Sequence, residues 1–156
     1  MSFKIIELFG NTLKVFEDGK VLVKRHNNDE FYDKKYSNVN KYLRLELQHK
    51  KKRKHYFVHR LVAFCFLGLD LENPKSQVDH IDRDKLNNDV SNLRIVTNQQ
   101  NQFNKNAKGY CWHKRDKKWL ASISIDGKKK HLGCYETEED ASKAYQDAKL
   151  IHHIFN

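Results

Sequence analysis

Between residues 77 and 97 the chain reads Q-V-D-H-I-D-R-D-K-L-N-N-D-V-S-N-L-R-I-V-T, and this stretch limits the fold more than any other. Q-V-D-H-I and L-R-I-V are short and mostly apolar, as strands are. The segment 82–92 between them is too polar to be anything but loop. Thr97 is a good N-cap, and T-N-Q-Q-N-Q-F-N-K-N continues as a helix. The order is therefore strand, loop, strand, helix. Asp79 and His80 arrive together at the end of the first strand. Asn92 opens the second strand 12 positions after His80, and Asn101 lies on the helix 9 positions after Asn92.

Such a set has the parts of a metal-dependent phosphodiesterase. Hard oxygen ligands can hold a divalent ion against a scissile phosphate while leaving coordination positions open. A histidine can take the proton from attacking water if a neighbour fixes its ring. Asp79 offers a carboxylate oxygen and Asn101 an amide oxygen from a different element. Successive strand residues point to opposite faces, so His80 need not be a ligand. Asn92 can hold the His80 ring through its side-chain or backbone carbonyl. Taken alone, the pattern also admits a plainer reading, because Asp-His pairs are common and Asn-rich stretches are mostly turns.

The surroundings favour a polyanionic partner. Lys and Arg total 30 against 20 Asp and Glu, a formal net charge of +10. That balance fits nucleic acid, an anionic membrane surface or a solvated basic surface. No apolar run approaches the ~18 residues of a membrane span, and the start M-S-F-K-I-I-E-L-F-G-N has no secretory pattern. The three cysteines, Cys65, Cys111 and Cys134, form no C-x-x-C. This argues against a disulfide framework or a Cys-based zinc site and fits a reducing cytoplasm. Residues 1–57 read as short strands, with a hairpin at Glu17-Asp18-Gly19. The basic run 49–55, holding Lys50, Lys51, Lys52, Arg53 and Lys54, is a charged hairpin tip able to meet a DNA backbone. Val58, Leu61, Val62 and Cys65 follow helical spacing before Gly68, and His59 and Arg60 on that helix either touch phosphate or pair structurally.

Residues 56–106 resemble the core of the HNH homing endonucleases, the ββα-metal nucleases. V-H-R-L-V-A-F-C-F-L-G, V-D-H-I-D, L-N-N-D-V-S-N-L-R-I-V-T and N-Q-Q-N carry the likeness in order. The resemblance implies that Asp79 binds metal, His80 is the general base and Asn92 orients it. It puts Asn101 where many relatives have a metal-binding His, as in the H-N-N branch. An amide oxygen there favours Mg²⁺ or Mn²⁺ over Zn²⁺ or Ni²⁺. Asn98 is the fallback ligand, and Arg94 matches a phosphate-facing position, with a surface ion pair as its alternative.

Residues 109–148 resemble the ethylene-response-factor class of DNA-binding domain through G-Y-C-W-H-K, K-W-L-A-S-I-S-I, H-L-G-C-Y and T-E-E-D-A-S-K-A-Y. Strand candidates cover 109–114, 118–125 and 128–135, with a turn at Asp126-Gly127 and a helix capped by Thr137. Alternation puts Trp119, Ala121, Ile123 and Ile125, with Trp112, Leu132 and Tyr135, against Ala141, Ala144, Tyr145, Ala148 and Ile151 of the helix. The opposite sheet face shows Cys111, His113, Leu120, Ser122, Ser124, Lys129 and His131. Cys111, His113, Arg115, Lys129 and His131 are the expected DNA-facing residues of this part.

These readings combine into an α+β chain: an N-terminal antiparallel β module (1–55), a ββα-metal nuclease core (56–106), and a three-stranded sheet packed on one helix (107–156). The expected activity is metal-dependent nicking of double-stranded DNA at a recognised site, with one Mg²⁺ or Mn²⁺. No small-molecule cofactor or membrane is expected, and the expected state is a monomer in the cytoplasm, the host's if the chain is phage encoded. The alternatives are a DNA-binding regulator with an inert core and a nonspecific nuclease.

Overall fold

The computed structural model describes residues 2–25, 29–103, 107–125 and 127–153. Contacts divide the chain into two units, Met1–Thr97 and Asn98–Asn156. In the first unit, β1 (Phe3–Leu8), β2 (Asn11–Phe16), β3 (Val21–Lys24) and β4 (Phe31–Asp33) form an antiparallel meander. A second sheet holds β5 (Ser37–Val39), β6 (Tyr42–His49) and β7 (Lys52–Phe57). Two-residue hairpins of the I′ kind need positive φ at both turn residues. Phe9–Gly10, Asn40–Lys41 and Lys50–Lys51 all have it, although only one of these six residues is glycine. The middle of the basic run is thus a tight turn, and its remainder is strand.

Period-two burial makes the core. Leu13 and Val15 of β2, Val21 and Val23 of β3, and Leu45 and Leu47 of β6 all point inward. They meet Val58, Leu61 and Val62 of α1 (Val58–Val62), which runs into a π-helical turn at Ala63–Leu67. Gly68 stops that turn in the left-handed region, at φ 79° and ψ 24°. Val78 of β8 (Gln77–His80) and Leu93 of β9 (Leu93–Val96) close the same cluster. Each fully buried Leu or Val contributes about 1.5–3 kcal/mol by leaving water. The expected border between residues 55 and 56 therefore runs through one continuous core, because neither the β2–β3 face nor the helix can be covered without the other.

The second unit contains α2 (Asn98–Phe103), the sheet β10 (Tyr110–His113), β11 (Lys118–Ile125) and β12 (Lys128–Tyr135), and α3 (Glu138–His152). Thr137 caps α3 by accepting from the Asp140 amide at 3.1 Å. Ala121 and Ile123 are buried with Ala141, Tyr145 and Ala148, as alternation predicts. Trp112 and Ile151 depart from the expected core, at 45% and 65% exposed. β10 is an edge strand and α3 packs chiefly on β11 and β12, and Trp112 lies edge-on to Trp119, centroid to centroid 5.5 Å. Ile151 lies in the last turn of α3. Asn106 and Asp126 lie outside the described residues.

Gly109 sits at φ 70°, and a Cβ there would overlap the Tyr145 ring. Left-handed backbone costs a non-glycine residue about 1–2 kcal/mol, and overpacking costs about 1–3 kcal/mol more. Gly109→Ala should therefore destabilise the second unit by about 2–5 kcal/mol in thermal unfolding. An unchanged melting temperature would show that the Tyr145 ring gives way freely. No helix among the described residues is long and apolar enough to cross a membrane.

Candidate active site

β8 and β9 pair antiparallel, setting Asp79 opposite Arg94 and His80 opposite Leu93. Asp79 is 7% exposed and His80 4%, so both hold their chemistry in a nearly dry setting. A carboxylate buried to that degree needs a charged partner. Arg94 supplies it: its Nε and Nη2 donate to Asp79 Oδ2 at 2.9 and 2.7 Å. Of the two readings of Arg94, the structure shows the ion pair, and its partner is the expected metal ligand. Two guanidinium donors on one oxygen make a strong charge-assisted contact, which an incoming cation meets first.

The His80 ring is held from several sides. Its Nε2 faces Asn88 Oδ1 at 3.3 Å. The ring centroids of His59 and Tyr42 lie 5.2 and 5.9 Å from its own. Asn88 is buried and donates through Nδ2 to the Leu86 carbonyl at 3.0 Å, which fixes its oxygen toward the imidazole. From below, the loop rests on the β2–β3 turn. The Val90 amide donates to the Glu17 carbonyl at 2.8 Å, and a Cβ on Gly19 would come within 2.7 Å of the Asn88 Cβ.

Asn92 was expected to hold the His80 ring, and its side chain also bonds within the loop. Its Nδ2 donates to Asp82 Oδ1 and to the Asn87 carbonyl at 2.9 and 2.8 Å. Its Oδ1 accepts from the Asp82 amide at 3.0 Å, and its backbone carbonyl accepts from the Ile81 amide at 2.9 Å. Asn92 thus pins together the two ends of the loop that β8 and β9 enter, and Asn88 Oδ1 faces the ring. Its place, in a 3₁₀ turn at Val90–Asn92 just before β9, explains why it closes the loop and does not open the strand. Asp82, Asp84, Asn87 and Asp89 each accept from the backbone amide two residues on, a run of Asx turns that gives the polar segment its shape. The Asn87 side chain, with the Asp84 amide and Asn92, holds the Asp82 carboxyl below its ordinary range.

Asn98 and Asn101 lie on α2, in the second unit, with Asn98 exposed and Asn101 half-buried. The donor chemistry of Asp79 and Asn101 fits a hard divalent ion, since each offers oxygen only. Among the described residues no three His, Cys, Asp or Glu side chains cluster with metal-binding geometry.

The expected DNA-facing residues fall in two places. Lys50 and Lys51 form the exposed β6–β7 tip, and Lys52, Arg53 and Lys54 continue along exposed β7. Two of them already have acidic neighbours: Arg53 lies 3.9 Å from Glu46 and Lys54 4.0 Å from Glu72. In the second unit the register sets Cys111 beside Leu120, Ser122 beside His131 and Ser124 beside Lys129, one face as expected. His113 lies 3.1 Å from Asp116, and Arg115 sits in the β10–β11 turn, 3.4 Å from the same carboxylate. His59 and Arg60 resolve toward structure: His59 is 7% exposed, and Arg60 Nη1 donates to the Ser76 carbonyl at 2.8 Å.

Sequence reasoning missed Asn88, Tyr42 and His59 as neighbours of the base. It also missed the Asp79–Arg94 pair, which the sequence does signal: two short antiparallel strands closing at His80 and Leu93 put residue 79 across from residue 94.

Comparison with known proteins agrees with this region. Residues 56–103 match the HNH endonuclease family. An HNH endonuclease of Acanthamoeba polyphaga mimivirus is 35% identical over 98 residues, covering 61% of this chain and 50% of the relative. A Bacillus subtilis protein named as the SPbeta prophage-derived HNH homing endonuclease YosQ is 51% identical over 53 residues, covering 33% and 29%. The chain thus spans half or less of these relatives' length. Among solved structures, the HNH homing endonuclease I-HmuI, described in a study of its DNA binding and cleavage, is similar with a TM-score of 0.50 and 27% identity. That match covers 92% of this chain and 82% of the other.

Proposed function

We propose that the HNH endonuclease domain at residues 56–103 makes this chain a metal-dependent DNA endonuclease that nicks a recognised double-stranded site. The observation that carries this reading is His80: a nearly buried imidazole, adjacent to Asp79, whose Nε2 is held by a fixed amide oxygen 3.3 Å away. A neighbour's hydrogen bond fixes the orientation that a histidine needs for proton transfer. His80 takes a proton from the attacking water. Asn88 keeps the imidazole oriented, and Asn92 keeps the loop closed around it. Asp79 and Asn101 are the proposed ligands of one Mg²⁺ or Mn²⁺, which when bound stabilises the charge developing on the phosphate and on the leaving 3′ oxygen. Arg94, which donates to Asp79 through Nε and Nη2, is the proposed phosphate-facing cation beside this site. The products are a 5′-phosphate and a 3′-hydroxyl.

The flanking regions support the DNA reading. A net charge of +10, the Lys50–Lys51 tip and the His131–Lys129 sheet face suit a phosphate backbone. We assign the second unit an ethylene-response-factor-type role. A small twisted sheet enters a major groove about 12 Å wide. With few bidentate donors on its outer face, it chiefly anchors the duplex.

One observation favours a second reading. The Arg94 fork engages the proposed metal ligand Asp79, as an inert core that binds DNA without cutting it would. Incubating the protein with supercoiled plasmid and Mg²⁺ separates the two. Conversion to open circles that stops on adding EDTA supports the nuclease; tight binding with no nicked product sinks it. Equal cutting of plasmids with and without the native flanking sequence would point to a nonspecific nuclease.

A further inference from the structure

The buried face behind His80 is walled by aromatic rings from elements that the activity as proposed does not use. His59, the second residue of α1, sits at the centre of this wall. Its ring centroid lies 5.2 Å from that of His80, nearly edge to face at 65°. It lies 5.0 Å from Tyr42 and is stacked on Phe57 at 5.6 Å and 23°. Tyr42 and Phe57 touch each other edge to face at 5.7 Å, so the rings brace one another. Lys85 Nζ lies 4.3 Å from the Tyr42 centroid, which ties the 81–92 loop to the same wall.

Two features set His59 apart from an ordinary core ring. It is 7% exposed, and its Nδ1 is buried with no hydrogen-bond partner among the described residues. A buried polar atom left unsatisfied costs about 1–3 kcal/mol. Burial first, then His80 and Arg60, push its pKa down to about 3, so it meets its neighbour as a neutral ring. A cation 5.2 Å from His80 would oppose the positive charge that the base gains when it takes a proton. A neutral flat ring does not. Edge-to-face packing also fixes orientation in a way that an aliphatic side chain cannot.

We infer that His59 is a positioning residue for His80, acting as a neutral aromatic wall that fixes the plane of the base's imidazole, and that Tyr42 and Phe57 hold this wall in place. The inference deepens the endonuclease reading and rests on it. His59 touches neither substrate nor metal in this scheme; it acts through His80 alone.

Three variants test it. His59→Leu keeps apolar volume and loses the flat ring; His59→Phe keeps the flat ring and loses both nitrogens; His59→Lys places a cation there. Misplacing a catalytic group by an ångström can cost about 10²-fold. In plasmid nicking with Mg²⁺, His59→Leu should lower kcat by about 10–100-fold with KM within about twofold. His59→Phe should cut within about threefold of wild type and melt at a higher temperature, because the orphaned nitrogen is gone. His59→Lys should be at least as slow as His59→Leu. Nitrogen-15 imidazole spectra of the free proteins give a readout independent of activity. His80 should show one sharp ring signature in the wild type and His59→Phe, broadened or shifted in His59→Leu. Wild-type cleavage by His59→Leu, or His59→Phe as slow as His59→Leu, would overturn the inference. If the wild type itself does not nick, the endonuclease reading fails, and the His80 ring signature in His59→Leu still decides whether the wall positions it.

Discussion

His80→Ala should reduce DNA cleavage by about 10²–10⁴-fold, the usual cost of removing a general base. Affinity for the same DNA should stay within a few-fold. The imidazole acts when the proton leaves the attacking water and adds little to ground-state binding, so the loss should appear in kcat and leave KM nearly intact. The ring is 4% exposed and packed against His59 and Tyr42, so the variant's fold needs checking by its near-ultraviolet dichroism. A folded His80→Ala protein that nicks at the wild-type rate would remove His80 from the chemistry and with it the main support for the proposed activity.

The second large effect concerns the proposed ligand on α2. A divalent ion supplies several kcal/mol of transition-state charge stabilisation, and each 1.36 kcal/mol is tenfold in rate. Asn101→Ala should therefore cost at least about 10²-fold in Mg²⁺. Asn101→Asp keeps an oxygen donor and should retain activity. Asn101→His should shift the preference toward Co²⁺ or Ni²⁺, as imidazole ligands do. Nicking rates across Mg²⁺, Mn²⁺, Co²⁺, Ni²⁺ and Zn²⁺ decide the matter. With Asp79 and Asn101 as the protein ligands, the set carries a single negative charge. Ion affinity should then be weak until DNA adds phosphate oxygens, and the Asp79–Arg94 pair makes it weaker still. A normal Asn101→Ala beside an inactive Asn98→Ala would assign the ligand to Asn98.

The legible part of this chain was its local pattern. Alternation correctly sorted Ala121 and Ile123 inward and placed Cys111, Leu120, Ser122 and His131 on the other sheet face. Punctuation by Gly68 and Thr137 set helix ends where the structure has them. What escaped was decided by packing between segments distant in sequence. Nothing near Asn88 distinguishes it from Asn87; only the return of the loop onto Gly19 buries the one and leaves the other exposed. Trp112 failed for a related reason, since period two fixes a face but cannot say whether a helix reaches the sheet edge. The Asn spacing of the segment has two causes in one place: some of those amides shape the loop, and one of them faces the base.

The bare backbone at Gly19 carries a consequence for how such a chain can be recombined. Because Asn88 rests on it, and Val90 is tied to Glu17 beside it, the N-terminal hairpin is a buttress of the nuclease loop. A chimera cut between residues 55 and 56, the boundary that motif reading suggests, would split a shared core and remove that buttress while leaving every catalytic letter intact. The piece that keeps this core whole is Met1–Thr97, and a nuclease transplant must carry α2 with its Asn101 as well.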